Sequence, residues 1–126
     1  MKTNLIKMVV AVALIAGFSQ FSMADNASAN KLIAAILVDL NHFPSDADRM
    51  ALVAVANDED TGRGFQMIAE AVGNIQHAAN AEGKAAMSQI IASDRATAEA
   101  KALAQIVLDI NHMPSADAKA ALEAML

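Results

Sequence analysis

The strongest constraint on this chain is that it repeats itself. The segment Lys31-Leu-Ile-Ala-Ala-Ile-Leu-Val-Asp-Leu-Asn-His-Phe-Pro-Ser45 returns as Lys101-Ala-Leu-Ala-Gln-Ile-Val-Leu-Asp-Ile-Asn-His-Met-Pro-Ser115, at an offset of 70. Halving the offset exposes a third, degenerate copy, Gln66-Met-Ile-Ala-Glu-Ala-Val-Gly-Asn-Ile-Gln-His-Ala-Ala-Asn80. At a period of 35 the columns read Ala34, Ala69, Ala104; Leu40, Ile75, Ile110; His42, His77, His112; Ser45, Asn80, Ser115; and Leu52, Met87, Leu122. A period of this size marks a supersecondary unit that buries its apolar face only against its neighbours.

Each copy reads as helix, turn, helix. Apolar residues at Ile33, Ile36, Leu37 and Leu40 recur as Ile68, Ala71, Val72, Ile75 and as Leu103, Ile106, Val107, Ile110, which is the spacing of one buried helical face. Pro44 and Pro114 disfavour helical geometry at the residue before them, so the first helix of each copy should end around its histidine. The Ser, Asn, Ser column then offers a side-chain oxygen to the free N–H groups of a second helix. Asp46, Asp48, Glu82 and Asp117 fall in its first turn, favourable against the helix dipole. Second helices are expected over 46–56, 81–92 and 116–125, burying Leu52, Val55, Met87, Ile90, Ile91, Leu122 and Met125. Loops rich in Gly, Asp, Ser and Thr follow at 57–64 and 93–97. Whether the middle copy keeps its turn is open, because Ala79 replaces proline, although Gly73 and Gly83 favour a break. The expected fold is all-α: six short helices in three hairpins, about 31–65, 66–100 and 101–126, in one small solenoid-like or bundled domain. In period and helix content this resembles the tetratricopeptide class, but the Trp-x-x-Leu-Gly-x-x-Tyr pattern of that class is absent.

Ahead of the repeats, Lys2 and Lys7 precede an apolar run from Met8 to Phe18, followed by Ser22-Met23-Ala24. This is the pattern of a cleaved signal peptide, with cleavage after Ala24 and a mature domain over 25–126. The run of 11 residues is well short of the roughly 20 that span a bilayer, so no stable membrane insertion is expected. The expected location is therefore periplasmic or secreted. Loss of both leader lysines takes the net charge from −5 to −7. The remaining basic residues are scattered singly, so nucleic acid is not an expected partner. With no cysteine in the chain, disulfides and thiolate metal sites are excluded.

The chemistry-bearing residues are few. His42, His77 and His112 are the only histidines and share one repeat column. Imidazole is a common ligand of zinc and copper. In a stacked array, however, equivalent positions lie about 8–10 Å apart, whereas ligands sit about 2 Å from a shared ion. Only closure of the hairpins into a tight triangular bundle brings them together. The expected role is thus structural: each ring ends a helix, where it bonds last-turn carbonyls. Asp39 and Asp109, three residues earlier, share a helix face with the histidine and lie within reach of the ring.

Asp58-Glu-Asp-Thr-Gly-Arg-Gly64 begins like a calcium loop, but Gly62, Arg63 and Ala69 stand where that loop needs a ligand, a glycine and a bidentate glutamate. It reads as a solvated acidic loop. Ser45 and Ser115 are accounted for as caps, and no phosphate loop or marked carboxylate pair is present. The methionines Met50, Met67, Met87, Met113 and Met125 are spread along the chain, mostly at core-facing columns as ordinary fillers. The expectation is a small exported helical-repeat protein, without a cofactor or catalytic activity, acting as a protein-interaction or structural module and able to pair through its apolar ends. The alternative is a metal carrier or sensor using His42, His77 and His112 with Asp39 and Asp109.

Overall fold

The structure of the protein is a computed structural model that describes residues 18–126, with side chains from Asn26 onward. Six helices follow one another: α1 (Phe18–Val38), α2 (Asp46–Ala56), α3 (Arg63–Gly73), α4 (Ala81–Ala92), α5 (Ala98–Asp109) and α6 (Ala116–Glu123). The described residues form no strand, and none of their helices is long and apolar enough to cross a membrane. The leader expected over residues 1–24 lies outside the described side chains, and only its end coincides with the first turns of α1.

Local chemistry sets most helix starts. Ser45 Oγ accepts the Asp48 N–H at 3.1 Å, Asn80 Oδ1 the Gly83 N–H at 2.7 Å, and Ser115 Oγ the Ala118 N–H at 3.1 Å. Thr97 does the same for Ala100 at the start of α5. Helix α3 is capped by Gly62, which has no side chain to offer, and there Asn26 of α1 supplies an acceptor, taking the Gly62 N–H at 2.7 Å. A first-turn donor that its own segment leaves bare is thereby satisfied from a different helix. The acidic loop before α3 closes on itself, with Asp58 accepting from the Asp60 N–H and from Thr61 Oγ1.

The core follows the repeat columns. Ile33, Ile68 and Leu103 are buried, as are Leu37, Val72 and Val107, and Leu52, Met87 and Leu122. Ile106, Val55, Ile91 and Met125, also expected inside, are only partly covered. The alanines Ala34, Ala69 and Ala104 are fully buried, which lets the helix axes approach. Gly83 serves the same end: a Cβ there would stand 3.2 Å from Asn80 Oδ1 and 3.3 Å from Ala71 Cβ.

Packing does not follow the order of a stacked array. The most extensive helix pairs are α2 with α3 and α4 with α5, each spanning a loop between copies rather than a histidine turn. Helix α6 returns to pack on α1, and α1, α3 and α5 all touch one another. The first and last helices therefore meet, with three helices inside and each of the other three laid on the next inner one.

Two substitutions gauge these contributions. Met87→Ala should lower the free energy of unfolding by about 2–5 kcal/mol through lost burial and a residual cavity. Ser115→Ala should lower it by about 1 kcal/mol through the lost cap. Urea denaturation followed by circular dichroism reads both.

Candidate functional site

The first helices stop before the histidines, at Val38, Gly73 and Asp109, and the chain then reverses sharply. Asn41 pairs with Phe43 across His42, Gln76 with Ala78 across His77, and Asn111 with Met113 across His112. Around His42 the Phe43 N–H donates to the Asn41 carbonyl at 2.9 Å, closing a three-residue turn. Such a turn closes with either sign of φ at its centre, and the positive one is the rarer and more strained. The histidines have φ of 74°, 70° and 72°, and they are the only described residues with positive φ. The middle copy keeps this geometry without its proline, and Ala79 is buried in the proline's place.

Closure of the bundle brings the three turns together. The His42 N–H donates to the His112 carbonyl, the His77 N–H to the His42 carbonyl and the His112 N–H to the His77 carbonyl, each at 2.6 Å. These bonds form a ring joining points 35 and 70 residues apart in the chain. The side chains of the same residues are grouped above it. Their ring centroids are separated by 5.0, 5.0 and 4.9 Å, with interplanar angles of 86°, 84° and 60°. His42 is half-buried, and His77 and His112 are exposed.

This overturns the expected spacing of one helix-pair layer. That spacing belongs to an open stack, and here the return of α6 to α1 draws the equivalent turns inward. One ligand nitrogen from each ring lies within 4.8 Å of the others. Three imidazoles around a tetrahedral ion at 2.0–2.1 Å have nitrogens about 3.4 Å apart and ring centres about 5.2 Å apart. The centres already stand at that separation. What remains is for the nitrogens, now within 4.8 Å of one another, to draw in to about 3.4 Å.

Two of the rings are held from outside the triad. His42 Nδ1 bonds Asn41 Oδ1 at 2.5 Å, and His112 Nδ1 bonds Asn111 Oδ1 at 2.8 Å. With the amide oxygen as acceptor, the ring proton sits on Nδ1 and Nε2 carries the free lone pair, the form in which imidazole binds a metal. Gln76 occupies this column in the middle copy.

Asp39 and Asp109 do not join the group. Both are exposed, and Asp109 accepts a hydrogen bond from Gln105 Nε2 at 3.1 Å. The expected carboxylate support assumed that helix continues to the histidine. The reversal at 41–43 and 111–113 takes the rings off that helix face, and asparagine takes the orienting role instead. Asn41 and Asn111 were open to discovery in the Asn-His pair shared by two copies.

Compared with protein-family models, curated proteins and solved structures, the chain matches none.

Left-handed backbone at a residue with a Cβ costs about 1–2 kcal/mol, and glycine escapes that penalty. His42→Gly should therefore be more stable than His42→Ala by about 1 kcal/mol in the metal-free protein, since both lose the same ring. Chemical denaturation of the two variants side by side measures the difference.

Proposed function

We propose that this chain is an exported, non-catalytic metal-binding protein, a carrier or sensor, built from three copies of a helix-turn-helix unit closed into a three-membered bundle. His42, His77 and His112 supply one imidazole nitrogen each. The observation that carries this reading is the convergence of the chain's only histidines at near-equal separations, each at a strained backbone position. Strain of this kind persists where the surrounding structure over-determines it, and it gathers at functional sites.

The donor set selects the class of ion. Three imidazoles suit zinc, copper, nickel or iron(II). Calcium and magnesium need oxygen ligands, and no carboxylate belongs to the group. The leader pattern supports export.

Mature protein purified without an affinity tag should take up one zinc ion, read by native mass spectrometry and isothermal calorimetry. His77→Ala should lose stoichiometric uptake, whereas Asp39→Asn combined with Asp109→Asn should retain it. Asn41→Ala should weaken binding about 10–100-fold, as loss of an orienting partner does. Because imidazole binds as the neutral base, affinity should fall as pH is lowered. Unchanged uptake in His77→Ala would sink the proposal.

A second reading, docking of another protein, is favoured by the exposure of Phe43, Met50, Val53 and Met113. Under it, Met50→Lys combined with Val53→Lys should abolish capture of a periplasmic partner while leaving zinc uptake intact.

A further inference from the structure

We infer that an ion held by the histidine triad keeps one coordination position open to solvent, where it takes an exchangeable small anion or a water molecule. The inference rests on the metal-binding reading above and concerns what completes the shell.

The three donors approach from one side. Their backbones are tied by the ring of N–H···O=C bonds, so the base of the site is closed by the same residues that carry the imidazoles. Three nitrogens set around a near-threefold axis occupy one face of an ion and leave its far side free. They also do not suit a square-planar ion, whose ligands lie in a plane through the metal. A tetrahedral ion in this setting needs one more ligand.

The surrounding residues are poor candidates for that ligand. Asp39 and Asp109 lie outside the group, and the chain has no cysteine. The amide oxygens of Asn41 and Asn111 are engaged with His42 Nδ1 and His112 Nδ1. The residues following the histidines are Phe43, Ala78 and Met113, and only Met113 has a side-chain donor atom, a thioether that favours softer ions than zinc. Phe43 is 56% exposed and Met113 45%, and His77 and His112 are exposed as well, so water reaches this end of the molecule.

Charge decides what enters. The protein as a whole is acidic, which disfavours anions at a distance. Surface charges more than about 8–10 Å away are largely screened at physiological salt. A divalent ion ligated by three neutral imidazoles keeps its full double charge and is the largest local charge at the site. A small anion is therefore favoured at the fourth position, beside the apolar Phe43 and Met113. Three protein ligands with an open fourth place is also the arrangement that zinc adopts where its shell must exchange.

Cobalt(II) as a substitute for zinc makes this visible. The mature protein is loaded with cobalt, its visible absorption is recorded, and sodium azide is titrated in. The expected result is the intense band set of a four-coordinate ion, shifting saturably with azide, with the same response in Met113→Leu. A weak six-coordinate spectrum overturns the inference. So does an azide-insensitive wild type whose Met113→Leu variant becomes sensitive, because the thioether then fills the position. In both cases stoichiometric cobalt that survives dialysis in the wild type and is lost in His77→Ala leaves the metal-binding reading standing. Absence of cobalt uptake removes that reading and this inference together.

Discussion

Three amide hydrogen bonds, each running from one histidine to the carbonyl of another, tie the turns of this protein into a ring, and the rest of the architecture is arranged so that the ring can close. Three turns meet in this way only if the helices leading into them converge. Convergence in turn requires the short alanine side chains at 34, 69 and 104, which bring α1, α3 and α5 close enough to touch. It also requires α6 to come back to α1, because an open row of helices would leave the first and third turns far apart. The caps at Ser45, Asn80 and Ser115 finish the arrangement by restarting the chain in a helix soon after each reversal.

Much of this was legible in the sequence, and the division is physical. Helix starts, helix faces and turn positions are set by neighbours along the chain, so capping residues, apolar periodicity and proline announce them. The second helices α2 and α4 run over the spans the pattern predicts, and the columns at Ile33, Leu37 and Leu52 are buried in every copy. The spacing of the histidines depends instead on whether the array stacks or closes. An apolar helix face fits either outcome, so periodicity does not decide between them. The sign of φ was equally hidden: Asn-His-x-Pro announces a turn but not its handedness. Asp39 and Asp109 stand apart from the rings for the same reason, since their reach presumed a helix that the reversal interrupts.

The histidine positions also show local preference and global arrangement in conflict. Glycine or asparagine would sit in these turns with less strain, and the sequence places histidine there in all three copies, including the middle one that has lost its proline and its asparagine. Packing of the rings against one another returns part of that cost, because edge-on contacts near 5 Å between aromatic rings are favourable. Exposure limits that return, since two of the three rings face solvent. If the proposed ion binds, the ring centres already stand near the spacing it requires, so binding would have little chain to rearrange.

The return of α6 to α1 has a consequence for how such a chain can grow. A solenoid lengthens by adding units at an end, and its copy number drifts easily, because each new unit needs only one neighbour. Here every turn both donates to and accepts from another turn, so the set has no end to extend. A fourth unit would have to break one of the three bonds to enter, and it would spread the rings to the corners of a square. The count of three is therefore a property of the hydrogen-bonded ring itself, and duplication or deletion of a unit would open that ring rather than enlarge or shrink it.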